Sequence, residues 1–286
     1  MINNSINKKF SILIGSTIIS AMVIFTLIMT TNIKTKIIED LEANLEVQVG
    51  NYFQTAQIYN NTLEENSLVL FNVFEKSFLN IQNRGNRTIK INGVETLGLF
   101  DGFSRINKNF DKVDHFQELT GAVSGVYVKD KNEYIRITSS VKNKDGERIL
   151  LDTLNPTKDV YKKIEQREKY VGLEEIAGKT YMSIYAPIIK NDQIIGALYI
   201  GYEFTKGLAT LKNELRKVVI GDTGYIYILD QKGTLILHKS LEGKNILHLK
   251  DVNNKSFIKD ILEQKQGVLH YDYLQNKKVV AFKTYD

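Results

Sequence analysis

The sequence contains no cysteine, which removes disulfides, thiol catalysis, Cys-based zinc sites and iron–sulfur ligation at once. It has only two prolines and no low-complexity tract, so disorder is excluded as the basis of function. Histidines number four, at 115, 238, 248 and 270, and show neither metal-ligand spacing nor a carboxylate partner pattern; no metal and no cofactor are expected. No Gly-x-Ser-x-Gly elbow, HExxH motif or Rossmann fingerprint occurs. Gly178-Lys179-Thr180 imitates the end of a P-loop, but the required earlier glycine is Leu173, so it reads as a turn into a strand. The net charge of +5 is modest and cations are mixed with acids, as in Lys142, Lys144, Asp145, Glu147 and Arg148, which speaks against nucleic-acid binding. What remains is an ordinary folded composition, 43% hydrophobic and 25% charged.

The N-terminus is less ordinary. Residues 10–33 carry no ionisable side chain and are mostly Ile, Leu, Val, Met, Phe, Ala and Gly. As a helix they would extend about 36 Å, enough to cross a hydrocarbon core of about 30 Å with some tilt. A cleaved signal peptide would have a shorter apolar region and a small-residue site after it, and no such site follows. Lysines flank the run on both sides, at 8, 9, 34 and 36, and orient it weakly. No second apolar run follows, so the bulk of the chain lies on one side. The expectation is a short cytoplasmic tail (1–9), a transmembrane helix (10–33) and a domain outside the cytoplasm, in the bacterial inner membrane.

From Ile37 to Ile81 apolar residues recur at helical intervals without a proline, predicting a long stalk helix over 34–82. Beyond it the pattern switches to short runs of Val, Ile, Tyr and Thr separated by Gly, Asn and Asp, the signature of strands. One stretch repeats. TGAVSGVYVKDKNEYIRITSS (120–140) aligns with IGDTGYIYILDQKGTLILHKS (220–240), so that Gly121 meets Gly221, Tyr127 meets Tyr227, Asp130 meets Asp230 and Ser140 meets Ser240. Each copy reads as strand, polar turn, strand. The first copy continues with strands over 179–189 and 193–202, and the second with strands over 268–274 and 278–285. A last strand is missing from the second copy by comparison, leaving an unpaired edge, and the sequence is expected to be a piece of a longer protein.

Residues 97–149, with YMSIYAPI (181–188) and IIGALYIGYEF (194–204), closely resemble the Cache 3/Cache 2 fusion sensor domain, and GDTGYIYILDQKGTLILHKSLEGKNI (221–246) is similar to the start of a Cache 2 unit. The resemblance implies an α+β fold: a long helix carrying two tandem PAS-like modules with antiparallel sheets, a membrane-distal one (83–205) and an incomplete membrane-proximal one (206–286). It implies small-molecule sensing outside the membrane and signalling across it. Most relatives are methyl-accepting chemotaxis proteins, others histidine kinases or diguanylate cyclases, while an extracytoplasmic enzyme is the rival from another class. No catalytic residue is expected, and a homodimer through the stalk helices is.

Strand alternation places Tyr134, Arg136 and Thr138 on one face, and Tyr181, Ser183 and Tyr185 on one face of a second strand. Arginine can hold a carboxylate through two parallel hydrogen bonds, and tyrosine hydroxyls can complete its coordination. With Tyr127, these residues are the expected ligand site, for a small organic anion or amino-acid-like molecule. The second copy has Ile236 where the first has Arg136, so the ligand is expected in the first.

Overall fold

The computed structural model describes the backbone of residues 2–284 and the side chains of 20–284 except Asn86. The side chains of 10–19 in the expected span, and Tyr285 at the end of the expected last strand, lie outside the described residues.

The chain opens with one helix, α1 (Ile2–Lys76). Among the described residues it is the one helix long and apolar enough to cross a membrane. In that stretch Met22, Val23, Ile24, Phe25, Leu27 and Ile28 are all exposed, and the hydroxyls of Thr26 and Thr30 donate to carbonyls one turn back. These threonine hydroxyls are thus satisfied inside the helix, as a hydrocarbon environment requires.

The helix stops earlier than its apolar periodicity suggests, at Lys76 rather than residue 82. Phe78 and Ile81 pack on the core as the periodicity demands, but the backbone there belongs to a turn and a strand. The reason is a competing acceptor from far along the chain. Asp101 Oδ1 takes the backbone N–H groups of Leu79 (2.9 Å) and Asn80 (2.7 Å), and Oδ2 takes Lys112 Nζ at 2.5 Å.

The chain divides into two compact units: residues 57–218, and residues 1–56 with 219–286. In the first, after the end of α1, come β1 (Ile81–Ile91), β2 (Val94–Asp101) and β3 (Ser104–Arg105), which form a three-stranded sheet in that order. Then follow α2 (Asp111–Thr120), β4 (Val123–Asp130), β5 (Glu133–Ser139), α3 (Asp159–Glu165), β6 (Tyr170–Ile176), β7 (Lys179–Lys190), β8 (Gln193–Glu203) and α4 (Thr205–Lys217). Five of these strands make an antiparallel sheet in the order β5-β4-β8-β7-β6. Asn191 and Asp192, both at positive φ (48° and 59°), close the two-residue turn between β7 and β8.

The sheet is covered on both faces, which is why its strands read as nearly continuous apolar runs. One face packs Val126, Ile137, Ile184 and Ile200 against Phe71 and Phe74 of α1 and Val113 and Phe116 of α2. The other packs Tyr127, Tyr134, Tyr185 and Tyr199 against Val160 and Ile164 of α3. Tyrosine dominates the second face and branched aliphatics the first.

The second unit contains β9 (Val219–Ile220), β10 (Gly224–Tyr225), β11 (Ile228–Leu229), β12 (Leu235–Leu237), α5 (Phe257–Gln264), β13 (Gln266–Tyr273) and β14 (Asn276–Lys283). Its strands pair only two by two, β9 with β10, β11 with β12 and β13 with β14. The small antiparallel sheet expected across 220–240 is reduced to two short ladders. Phe257, Ile258, Ile261 and Phe282 form its buried cluster, and His270 Nε2 meets Glu42 of α1 at 2.6 Å.

Candidate ligand-binding site

Arg136 stands on β5, directly across from Tyr127 of β4. The register slips between Val126 and Tyr127, and this bulge overturns one expectation from strand alternation. Thr138 pairs with Val126 and faces the other side of the sheet, where its hydroxyl donates to Asn109 O at 2.6 Å. Ser139, opposite Gly125, takes its place on the Arg136 face, because one extra residue reverses the alternation beyond it.

On that face the sheet lines up Ser139, Gly125, Tyr199, Tyr185 and Tyr170 in one row across five strands. The next row holds Val123, Gly201, Ser183 and Gly172. A β-carbon on Gly201 would fall under 3.0 Å from the Tyr199 hydroxyl, and one on Gly172 under 3.0 Å from that of Tyr170. Glycine at these two places lets the tyrosine rings lie down along the sheet.

Arg136 is 2% exposed. Its guanidinium carbon lies 4.9 Å from the Tyr127 ring centre and 5.3 Å from that of Tyr199, so cation–π attraction replaces part of its lost hydration. Its Nε is 2.9 Å from Asp152 Oδ1, but the approach is out of line for a hydrogen bond and both atoms lack a hydrogen-bond partner. The contact is therefore an ion pair. A long contact of 3.5 Å joins Nη1 to Ser139 Oγ. Burial acts against the charge of Arg136, but its tyrosine and Asp152 surroundings outweigh burial and raise the pKa further above the ordinary value.

Three more buried polar atoms on this face, the hydroxyls of Tyr127, Tyr199 and Ser183, have no hydrogen-bond partner of good geometry, although Tyr199 lies against Ser183 and Tyr127 against Tyr185. Natural interiors satisfy nearly all such groups, so a cluster of them calls for a reason. Burial keeps the Tyr127, Tyr185 and Tyr199 hydroxyls protonated far above neutral pH, against the Arg136 charge, which favours their ionised forms. They are donors. A guanidinium held against two buried phenol rings is chemistry suited to a carboxylate or similar anion.

The other expected residues are spread wider. Tyr185 shares the face but gives its hydroxyl to Glu174 Oε2 at 2.8 Å. Tyr134 is also on the face, stacked edge-on against Tyr161 and bonded to Glu165 Oε1 at 2.5 Å, away from Arg136. Tyr181 sits a row further on, between Glu174 and Glu203 in the ladder. Sequence reasoning missed Tyr199, Ser139 and Asp152. Tyr199 was accessible from the alternation within β8; Asp152 lies in a non-periodic segment and left no signal. Elsewhere in this unit an open cleft of about 460 Å³ lies between Lys129, Lys131, Glu165, Arg167 and Gln193. Its Lys129 and Arg167 already meet Glu165 and Asp192, both at 2.6 Å. Among the described residues no three His, Asp or Glu side chains gather as a metal site.

A five-stranded antiparallel sheet with α1 and α2 on one face and α3 against a tyrosine-rich other face defines the class of fold, α+β. The chain belongs to the Cache 3/Cache 2 fusion domain family, which matches residues 30–286. Solved structures of similar fold are chemoreceptor sensory domains. One is the sensory domain of the Campylobacter jejuni chemoreceptor Tlp3 with isoleucine bound, 14% identical, TM-score 0.49, covering 86% of this chain and 89% of that one. Another is the ligand-binding domain of the Pseudomonas aeruginosa amino-acid chemoreceptor PctC in complex with GABA, 12% identical, TM-score 0.45, covering 82% and 90%. The extracellular domain of a histidine kinase, mmHK1S-Z2, is 14% identical, TM-score 0.39, over 60% and 74%. No curated protein matches the sequence.

Proposed function

We propose that this Cache domain is the membrane-anchored, extracytoplasmic sensor of a chemoreceptor, that it binds a small organic anion or amino-acid-like ligand at Arg136, and that it passes occupancy to the cytoplasm through α1. The observation that carries the ligand reading is the buried Arg136 guanidinium lying against the Tyr127 and Tyr199 rings, whose hydroxyls lack well-formed hydrogen bonds. The apolar, exposed stretch of α1 that starts at Ser20 supports the anchor. Exposed Ile58, Val69 and Val73, near one stripe of α1, support pairing of two copies through the stalk. A histidine kinase or diguanylate cyclase output is the alternative that the same sensor would serve.

The test is a thermal-shift screen of organic acids and amino acids against the full chain in detergent, followed by calorimetry on two variants. Losing one partner of a buried charged hydrogen bond costs about 2–5 kcal/mol, about 30-fold to several thousand-fold in affinity, so Arg136→Ala abolishes practical binding. Arg136→Lys keeps the charge without the planar fork and retains part of it. Unchanged affinity in a folded Arg136→Ala protein removes Arg136 from the site, and hits that are only neutral or cationic remove the anion. Reporter fusions at Lys142 and Lys212 test the topology; cytoplasmic readings at both sink the sensor.

A further inference from the structure

We infer that Asp152 is a built-in stand-in for the ligand's carboxylate, and that the segment carrying it, residues 149–154, is a strap displaced when an anion takes Arg136. The inference rests on Arg136 as the ligand anchor and specifies how that anchor is gated.

β5 is the edge strand of the five-stranded sheet, and the strap runs along it. Arg136 N donates to Asp152 O (3.0 Å), Leu151 N to Arg136 O (2.9 Å) and Leu154 N to Tyr134 O (3.2 Å). Ile135 and Thr153 form an isolated antiparallel bridge. These few bonds, on an edge that would otherwise be bare, bring a carboxylate to the guanidinium from the solvent side. The Asp152 side chain is 40% exposed, whereas that of Arg136 is 3% exposed. An incoming anion would approach by the path Asp152 already occupies.

The internal pair is poorly matched. Asp152 offers one oxygen to Nε, out of line for a hydrogen bond, and makes no hydrogen bond to the Tyr127, Tyr199 or Ser183 hydroxyls. A free carboxylate is not tethered to the strap, so it can align two oxygens with the planar fork and take those donors as well. The strap also holds Leu151, a non-glycine residue, at φ 66°, a left-handed conformation that L-residues adopt at a cost. Release is therefore favoured by what the ligand gains and by what the strap stops enduring. Just before the strap, Arg148 grips Asp114 of α2 with two bonds (2.7 and 2.6 Å) and also donates to Ser139 O at 2.8 Å. Movement of the strap thus reaches α2, which packs on α1 through Phe116 and Phe74. A competing internal carboxylate lowers the fraction of binding-competent protein and weakens apparent affinity by that fraction.

The experiment uses the full chain in detergent, acetate as the probe and Asp152→Asn, with Asp152→Ser as a second variant. The chain has 15 tyrosines and no tryptophan, so its ultraviolet emission reports tyrosine directly. Asp152→Asn is expected to bind acetate at least tenfold more tightly than the parent. Without ligand it should exchange the amides of Arg136, Leu151 and Leu154 faster, while the β7–β8 amides, which certify folding, stay protected. Saturating acetate should speed the same three amides in the parent, and adding Arg136→Gln should abolish the acetate response. If acetate affinity in Asp152→Asn is unchanged or falls while Arg136→Gln still abolishes it, Asp152 is a ligand contact or a bystander and the strap is wrong, with the anchor intact. Unchanged strap amides in both variants also overturn it. A response that survives Arg136→Gln, or none in any form, removes the anchor and the strap together.

Discussion

The two copies of the repeat both turn at an aspartate, through two residues in the first and three in the second, and differ more in their strands. Asp230 Oδ1 accepts the N–H groups of Lys232 (2.9 Å) and Thr234 (2.8 Å), and Gly233 supplies a positive φ of 79°; in the first copy Lys131 supplies it at 55°. Around the first turn stand β4 and β5 of eight and seven residues, and around the second β11 and β12 of two and three. β4 lies between β5 and β8 and is sandwiched by two clusters, whereas β11 and β12 pair only with each other. Turn chemistry is local and survives in both copies. Strand length is set by neighbours, because a two-stranded ladder alone is marginal in water. The proposed ligand anchor follows the same division: Arg136 is buried on its sheet, and Ile236 at the matching place is 40% exposed.

The largest effects should therefore belong to the first unit. Phe74→Ala opens a cavity between α1, α2 and the sheet and is expected to cost about 3–5 kcal/mol. Gly196→Ala should cost as much, since its β-carbon would strike the Tyr127 backbone oxygen, which cannot turn away. Phe257→Ala in the second unit removes a ring stacked on Tyr271 at 4.2 Å, but in a cluster of few buried residues that can collapse around it, so its cost should be smaller. Denaturant unfolding of the three variants measures this. An equal or larger loss from Phe257→Ala would break the contrast between the units.

Asp101 sharpens the comparison at an intermediate scale, since it ties the end of α1 to β2 and α2 within the first unit only. Asp101→Asn keeps the shape but loses the charged acceptor, and should cost about 1–3 kcal/mol. Burial alone would raise the Asp101 pKa; its bonds from Asn80, Lys112 and Leu79 prevail, and it is held below the ordinary 3.8. The folded state thus prefers the carboxylate. That stabilisation is complete above about pH 4 and is lost as pH falls through the depressed value. Acid unfolding of the first unit should start at higher pH than in a variant whose Asp101 is already Asn only if this sign is wrong.

How much was legible divides along the same line. The apolar span, the two turns and the strands β7 and β8 follow from periodicity and turn residues, which act within a few positions. The end of α1 did not, because the group that stops it, Asp101, is more than twenty residues away and no local pattern marks it. Thr138 was assigned to the wrong face since alternation assumes an unbroken ladder, and the bulge arises only when β5 meets β4. Asp152 was invisible for a third reason: its segment becomes strand-like only by lying on an edge that the sequence does not announce. The burial of Arg136 itself was legible only as a choice between a surface ion pair and an anchor, and the sheet that closes over it decides the first part of that choice.

The smallest expected effect isolates the second unit. At the repeat offset His238 stands where the first copy has Thr138, which does not titrate. His238 Nδ1 accepts the backbone N–H groups of Ser240 and Leu241, both at 3.0 Å, so that nitrogen must be unprotonated and the ring proton lies on Nε2, 3.1 Å from the Tyr225 hydroxyl. Burial disfavours the imidazolium and lowers the pKa below the ordinary 6.5. A depressed folded value means the neutral ring stabilises the fold above about pH 6.5, and the contribution disappears as pH falls through the folded pKa. Protonation would set a donor against two donors and undo the turn. His238→Asn preserves an acceptor at the Nδ1 position and cannot titrate, so it should melt like the parent at pH 7.5 and lose less stability by pH 5.5. Taking the difference between parent and variant cancels the contributions the two proteins share. If the two proteins lose the same stability across that range, the acid sensitivity does not come from His238, and the two copies do not differ there in their response to pH.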